Sequence, residues 1–140
     1  MATTTLVPGY VRAGLKIKGF GRPTYLLTVR GRKTGQPRTT PIVVIEEGGQ
    51  RYLISPFGMV DWVRNLQAAG EATLTRGRRS ETLRAIELPT REAGIVLQRT
   101  FVSGIPTFLA EHFDVTAESA LEDFEHATVG HPVFLLQSAA

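Results

Sequence analysis

The sequence has no cysteine and no long apolar run, and these two absences exclude several classes of protein. Without cysteine, the 140-residue chain has no disulfide, no thiolate nucleophile and no cysteine-ligated metal, as is common in a reducing compartment. No stretch approaches the ~18 apolar residues of a spanning helix, so we expect no transmembrane segment. Residues 1–9 lack a basic region followed by an apolar stretch, so we also expect no secretory signal and a cytoplasmic location.

Basic residues are missing from the last third of the chain. Residues 100–140 contain six acids and no Lys or Arg, whereas residues 1–99 contain all 16 Lys and Arg and only seven acids. The cation-rich part favours an anionic ligand or partner: a phosphate-bearing coenzyme, a nucleic acid or an anionic lipid surface. Attraction between unlike halves of one fold is the alternative. Nucleic acid is the least favoured ligand, because aromatic residues are not interleaved with the arginines.

The composition is typical of one globular domain, with 42% hydrophobic and 21% charged residues. The predicted order of elements is helix, three strands, helix, two strands, helix, strand. This order does not alternate strand and helix, so it favours an antiparallel, barrel-like sheet with peripheral helices over a doubly wound sheet. We therefore expect a basic helical segment over 1–20 and a single domain over 21–140.

Local patterns place the individual elements. Period-2 alternation predicts strands, and 3.6-residue periodicity with capping residues predicts helices. The predicted helices are Val7–Phe20, Asp61–Ala69 with Asp61 as the N-cap and Gly70 at the C′ position, one from Thr90 to Phe101 with Thr90 as the cap, and a short one in the acidic tail. The predicted strands are Tyr25–Arg30, Arg38–Ile45, Arg51–Ser55, Ala72–Thr75, Thr82–Leu88 and Pro132–Leu136, and the hairpin of the fourth and fifth turns at Gly77.

The most informative segment is the basic, glycine-containing loop between the first two strands, with the sequence GRKTGQPRTTP over residues 31–41. Glycines permit tight turns that expose amides, and Arg32, Lys33 and Arg38 add positive charge, so the loop is suited to binding a phosphate. It is neither a Walker loop nor a dinucleotide fingerprint, since both spacings are missing. A basic hairpin loop without a ligand is the alternative. Pro41 cannot donate to a ladder, so it should lie at an edge, a bulge or a ligand-facing position.

A second candidate segment runs from Ser55 to Asn65, where a strand ends, a loop follows and a helix begins. Loops after strands and helix N-termini are common ligand positions. Trp62 could cover a planar ring, although a lone Trp on a helix is more often a core anchor. The histidines His112, His126 and His131 have no metal-ligand spacing, so we assign no metal. No nucleophile elbow supports a Ser-His-Asp triad.

The loop motif resembles the coenzyme loop of the deazaflavin-dependent nitroreductase family, in which Gly-Arg-Lys-Ser/Thr-Gly-x-x-Arg-x-x-Pro precedes an apolar strand. The resemblance continues through residues 55–58, the Trp-x-x-Asn-Leu helix at 62–66, the following hairpin and His131-Pro132-Val133-Phe134. It covers about residues 22–137. It implies a split β-barrel of the FMN-binding type and coenzyme F420, an 8-hydroxy-5-deazaflavin carrying a phosphate and an oligoglutamate tail.

The resemblance also implies roles for particular residues. Lys33 and Arg38 would contact the phosphate or the acidic tail, with the amides of Thr34 and Gly35 and the side chain of Asn65 beside them. Trp62 would pack beside the tail. The full set of implied coenzyme-binding residues is Arg32, Lys33, Thr34, Gly35, Gln36, Pro37, Arg38, Pro41, Ile42, Val43, Ser55, Pro56, Phe57, Gly58, Trp62 and Asn65. Of these, residues 41–43 would border the deazaflavin ring on one edge, and residues 55–58 on the other.

The chain departs from better-known nitroreductase members in two places. Its loop over 55–61 is short, and no tyrosine follows Tyr52. The activity that the resemblance implies is hydride transfer from reduced F420 to a small electrophile. The candidate electrophiles are a quinone, an activated alkene and a nitroaromatic. An FMN-binding barrel and a non-catalytic deazaflavin carrier are the alternatives. No acid is assigned as the proton donor. We expect a monomer or homodimer, with weak membrane contact through the N-terminal helix as an open alternative.

Overall fold

The computed structural model describes residues 24–139 except residue 106. Seven strands form one sheet: β1 (Thr24–Arg30), β2 (Pro37–Val43), β3 (Ile45–Glu47), β4 (Gln50–Ile54), β5 (Glu71–Arg76), β6 (Arg79–Glu87) and β7 (Val133–Ser138). Four helices accompany it: α1 (Asp61–Ala69), α2 (Thr90–Ser103), α3 (Thr107–Ala110) and α4 (Leu121–Ala127). The predicted helix over Val7–Phe20 lies outside the described residues.

The sheet is antiparallel at every described pairing, in the order β2-β1-β5-β6-β7-β4-β3. Its two edge strands, β2 and β3, are separated along the chain by Val44 alone. Because the two edges are covalent neighbours, the sheet must curl back on itself. The result is the barrel-like antiparallel sheet with peripheral helices that the sequence predicts.

Two apolar clusters fill the molecule, one on each face of the curled sheet. Leu27, Leu53 and Phe134 belong to the inner cluster, and α1 adds Val63 and Leu66 to it. The second cluster lies between the outer face and the helices α2 to α4, with Ile54 and Val133 from the sheet and Phe124 from α4. Helix α1 therefore packs against the barrel interior, on the side where the β1–β2 loop emerges.

Helices α1 and α2 lie where they were predicted, but α2 continues two residues further, to Ser103, and neither helix has the predicted N-cap. Asp61 and Thr90 are the first helical residues rather than the N-caps, which are Val60 and Pro89 without a capping side chain. Gly70 ends α1 with φ of 72°, as predicted. The acidic tail contains two short helices instead of one.

Two strand predictions need correction. Residues 38–45 form parts of two strands, because the chain passes from β2 to β3 at Val44. The alternation in β1 holds over residues 27–30 but not at Leu26, which is buried as well as its neighbour Leu27, so β1 is covered on both faces there. The last strand is present as predicted, and the structure places it centrally, between β6 and β4. The prediction for Pro41 is confirmed, since it lies in the edge strand β2, opposite Leu26.

Candidate functional site

The β1–β2 loop is closed by its own backbone. The amide of Gly31 donates to the carbonyl of Gln36 at 2.8 Å, and the amide of Gly35 donates to the carbonyl of Gly31 at 2.9 Å. The Gln36 amide donates to the Thr34 hydroxyl oxygen at 3.1 Å. A Cβ at Gly31 would lie 3.1 Å from the Gln36 carbonyl oxygen, so the close approach favours glycine at this position.

Arg32 ties this loop to helix α1. Its Nη1 donates to Asn65 Oδ1 at 2.7 Å, and its backbone amide donates to the same oxygen at 3.1 Å. Its Nη2 lies 3.5 Å from Asp61 Oδ1 in an ion pair whose carboxylate side is 90% exposed. Asn65 itself is only 5% exposed. The loop and the first turns of α1 are therefore held at a fixed separation.

Between the loop and α1 lies a groove of about 690 Å³. That volume is within the usual range for small-molecule sites. The groove is lined by residues of β1, the loop, β2 and α1: Val29, Gly31, Arg32, Lys33, Thr34, Pro37, Arg38, Thr39, Thr40, Asp61, Trp62 and Asn65. We call this cavity the basic groove.

The charge of the basic groove is positive. Lys33 and Arg38 are exposed and form no ion pair with any residue that the structure describes. Arg32 is neutralised in part by Asp61, which is the one carboxylate among the lining residues. The groove thus presents two uncompensated cations beside the hydroxyls of Thr34, Thr39 and Thr40, a combination suited to an anion with several oxygen atoms.

Two of the predicted loop residues lie elsewhere. Gly35 and Gln36 are not among the lining residues of the basic groove, and Gly35 borders a smaller cavity of about 270 Å³ with Arg30 and Glu71. The amide of Gly35 is already bonded to Gly31. This amide is therefore used within the loop, and its contact with the phosphate stays a prediction. Gln36 contributes its carbonyl and amide to the closure of the loop.

The predicted ring-bordering residues of β2 differ in burial. Pro41 is exposed, whereas Ile42 is 7% exposed and packs in the inner apolar cluster. Val43 is half-buried against the second cluster. On the edge strand β2, Pro41 is therefore at the surface and directly follows the groove residues Thr39 and Thr40. The next residue, Ile42, packs in the barrel interior.

The loop after β4 is fixed by Ser55. This residue is fully buried, its hydroxyl donates to the Gly58 carbonyl at 2.5 Å, and its own carbonyl accepts from His131 Nδ1 at 2.9 Å. Pro56 and Gly58 are half-buried, and Phe57 is 62% exposed with its ring edge-on to His112 at 4.6 Å. Ser55 therefore shapes the loop from inside, and its place at the edge of the deazaflavin ring stays a prediction.

Trp62 is a core anchor, as is usual for a lone Trp on a helix, and its packing beside the coenzyme tail stays a prediction. Its indole packs against the inner cluster, 6.3 Å from the ring of Phe134, and it also lines the basic groove. Sequence reasoning missed the roles of Val29, Thr39, Thr40 and Asp61 in the lining. Thr39 and Thr40 lie inside the motif at residues 31–41. The strand pattern that follows Arg38 was the signal that could have placed them beside the loop.

The described residues contain neither a candidate metal site nor a candidate membrane-spanning helix. Within residues 24–105 and 107–139, no group of three or more His, Asp or Glu is arranged to hold a metal ion. In the same part of the chain, no helix is both long and apolar enough to cross a membrane.

The curled antiparallel sheet and its peripheral helices form a split β-barrel. Residues 8–108 match the family model of the F420H2-dependent quinone reductases. The match covers well over half of the chain, and the chain belongs to that family. It is therefore an F420-dependent oxidoreductase, and its cofactor is coenzyme F420. A search of the curated proteins finds no significant match.

Solved structures support the fold. An F420-H2 dependent reductase, FDR-A, superposes with a TM-score of 0.55 at 21% identity, covering 83% of this chain and 95% of that one. A protein described as a domain-swapped dimer gives a TM-score of 0.58 at 23% identity, covering 83% and 81%. A putative 5-nitroimidazole antibiotic resistance protein from Bacteroides thetaiotaomicron gives 0.54 at 11% identity, covering 96% and 82%. These likenesses concern the split-barrel architecture.

The residues of the basic groove fit the coenzyme. A phosphate with an oligoglutamate tail carries several negative charges, and Lys33 and Arg38 are the unpaired cations that can neutralise them. The groove lies between a loop and a helix and is open to solvent, so a charged tail can remain solvated in it.

Proposed function

We propose that this protein reduces a quinone with hydride from F420H2, holding the phosphate and acidic tail of the coenzyme in the basic groove. The observation that carries this proposal is the pair of uncompensated cations, Lys33 and Arg38, on one wall of a 690 Å³ groove. The family match supports the reaction class and favours quinones over activated alkenes and nitroaromatics as acceptors.

We assign the deazaflavin ring to the surface beside Pro41. Pro41 follows the groove residues along an edge strand, and it is exposed. The loop over 55–60 leads directly into α1, the other wall of the groove, and exposes Phe57. A deazaflavin ring bound between these two segments would lie directly next to the coenzyme tail in the basic groove. Trp62 would then contact the polar linker between tail and ring.

The bound coenzyme supplies the hydride, and the protein supplies position. Donor and acceptor carbons must approach to about 3–3.5 Å, so the rigidity of the loop and of the Ser55 turn contributes directly to rate. The quinone gains the hydride and one proton to become the hydroquinone. The Ser55 hydroxyl is buried and bonded to Gly58, so we assign that proton to solvent.

The test is a binding titration of the purified protein with F420 and with FMN under identical conditions, followed by turnover of F420H2 with menadione. The variant Lys33→Ala/Arg38→Ala removes the two groove cations. The matched control is Arg91→Ala/Arg99→Ala, which removes two exposed cations of α2. We expect F420 binding and quinone reduction in the wild type and the control, and a large loss of F420 affinity in the groove variant.

Each other result has a distinct meaning. Preference for FMN would retain the barrel and change the electron source. Tight F420 binding without turnover on quinones, enoates or nitroaromatics would indicate a carrier. Turnover of enoates or nitroaromatics with no quinone reduction would retain F420 and overturn the acceptor. Unchanged F420 affinity in the groove variant would remove the groove as the tail site.

A further inference from the structure

A second cationic cavity lies at the tip of the β5–β6 hairpin. The hairpin turns at Gly77, which has φ of 62°, and its register places Arg76 directly opposite Arg79 with Arg78 in the turn between them. These three arginines line a cleft of about 560 Å³ together with Tyr25, Arg51 and Glu81. We call it the arginine cleft.

The arginine cleft has an excess of positive charge, with four arginines and one glutamate among its lining residues. Arg51 is neutralised by Glu81, whose Oε2 accepts from its Nη1 at 2.6 Å. Arg76, Arg78 and Arg79 have no carboxylate partner among the residues that the structure describes. Like charges directly opposite on an antiparallel pair destabilise it. The hairpin therefore carries a repulsion that a bound anion would relieve.

Two arginines of the cleft, Arg76 and Arg51, are held in place by neighbouring side chains. The guanidinium of Arg76 lies over the ring of Tyr25, with its Cζ 5.5 Å from the ring centroid. The Glu81 ion pair fixes Arg51 on the adjacent wall. Side chains that are held before a ligand arrives lose less conformational entropy on binding.

The arginine cleft is separate from the basic groove. Tyr25 is near the beginning of β1, whereas the groove starts at Val29, four residues further along the same strand. At the usual strand rise this is about 13 Å. The lining residues of the two cavities do not overlap.

We propose that the arginine cleft is a second anion site that binds a free oligophosphate, such as the triphosphate group of a nucleotide. Guanidinium groups bind phosphate oxygens through paired hydrogen bonds, and three of them converge on one concave surface. None of the large exposed apolar residues in the described part of the chain lines the cleft, which argues against a lipid surface as the occupant. The proposal does not depend on the function of the basic groove.

The experiment is calorimetric titration with sodium tripolyphosphate at low salt, on the wild type and three variants. Arg78→Gln/Arg79→Gln alters the cleft, Lys33→Ala/Arg38→Ala alters the groove, and Arg91→Gln/Arg99→Gln is the charge-matched control. We expect the cleft variant to lose about tenfold or more in affinity, as for two charge-assisted contacts. The control variant should stay within about twofold of the wild type, because exposed charges elsewhere contribute little. The basic groove can bind the same anion, so the groove variant should lose only the groove's own binding event and keep the one that the cleft variant loses.

A second measurement separates binding from folding. Tripolyphosphate should raise the thermal unfolding midpoint of the wild type and the control clearly more than that of the cleft variant, which keeps only the basic groove. Equal losses of affinity in the cleft and control variants would show a non-specific charge effect and overturn the proposal. Loss confined to the groove variant would also overturn it, as would binding to vesicles of phosphatidylserine and phosphatidylcholine without binding of tripolyphosphate.

Discussion

Arg32 donates twice to a single oxygen of Asn65, once from its guanidinium at 2.7 Å and once from its backbone amide at 3.1 Å. The acceptor side chain is almost fully buried, on the helix that forms the opposite wall of the basic groove. The family resemblance implied that both residues contact the coenzyme, and that contact stays a prediction. The geometry gives them a structural task as well, which is to hold the two walls of the groove together.

The variant Arg32→Ala should therefore lower stability. The backbone donor to Asn65 remains, so we expect a loss of about 1–2 kcal/mol in the free energy of unfolding, measured by urea denaturation. Asn65→Ala should cost a similar amount, and the double variant should cost clearly less than the sum of the two. Additive losses would show that the two side chains are not energetically coupled.

The variants Lys33→Ala and Arg38→Ala should act on binding and leave stability nearly unchanged, since neither side chain is buried or paired in the described structure. Each should weaken F420 binding by about 1–3 kcal/mol, the usual effect of removing a charge-assisted hydrogen bond. The affinity of the wild type should fall with added salt, and less steeply in the variants. Normal affinity in both would be incompatible with a tail site in the groove.

Asp61→Asn is expected to strengthen F420 binding. Asp61 is the carboxylate in the lining of the groove and is 90% exposed, so it repels an anionic tail across solvent. Arg32 keeps its bonds to Asn65 in this variant. A gain of about 0.3–1 kcal/mol at low salt, lost at high salt, is the size expected for an exposed charge. Weaker binding in Asp61→Asn would mean that Asp61 positions Arg32 for the ligand.

The ion pair between Arg51 and Glu81 gives stability a dependence on pH. The hydrogen bond from Arg51 lowers the pKa of Glu81 from its ordinary value of 4.5, and the same bond raises the pKa of Arg51. A lowered carboxyl pKa stabilises the fold above the ordinary value, and this contribution disappears as pH falls through the folded-state pKa. Both side chains are partly exposed, so the effect should be at most about 1 kcal/mol.

The measurement is the difference in unfolding free energy between the wild type and Glu81→Gln, followed from pH 7 to low pH. The difference should be constant near neutrality and shrink below about pH 4.5, where unfolded Glu81 begins to bind its proton. Arg51 stays charged throughout this range. A difference that grows toward low pH would contradict the assigned sign.

Gly94→Ala should destabilise the protein although alanine favours helices. A Cβ at Gly94 of α2 would lie 2.7 Å from Glu125 Cγ and 3.0 Å from the Cα and the backbone nitrogen of Glu125 in α4. The backbone contacts cannot be relieved by a rotamer change, so we expect a loss of about 1–3 kcal/mol in thermal or urea unfolding. Gly94→Ala/Glu125→Ala should recover only part of it. Full recovery would place the clash in the Glu125 side chain alone.

Local patterns were sufficient to predict much of this structure from the sequence. The alternation in β1, the glycine that ends α1 and the hairpin at Gly77 depend on neighbours in the chain, and each is where it was expected. The basic loop was also recognisable, because Lys33, Thr34 and Arg38 are close in sequence and lie together in the groove.

Features that depend on distant partners were not predictable in this way. The central position of β7 is set by its pairing with both β4 and β6, which no local pattern records. The bond between Asn65 and Arg32 joins residues 33 positions apart. The burial of Ser55 follows from Gly58 and His131 closing over it. A family motif indicates that such residues matter without indicating whether they touch a ligand or support the residues that do.

The central position of β7 also has a consequence for biosynthesis. Among the described residues, β3 and β4 pair with the rest of the sheet only through β7, which lies between β4 and β6. A ribosome releases residues 133–138 after the residues of β1 to β6. Until then the nascent chain can assemble β2-β1-β5-β6 and a separate β3–β4 hairpin, in which β6 and β4 each lack the partner β7. The barrel therefore closes only once residues 133–138 have emerged, and a chain that stops before Val133 cannot complete it.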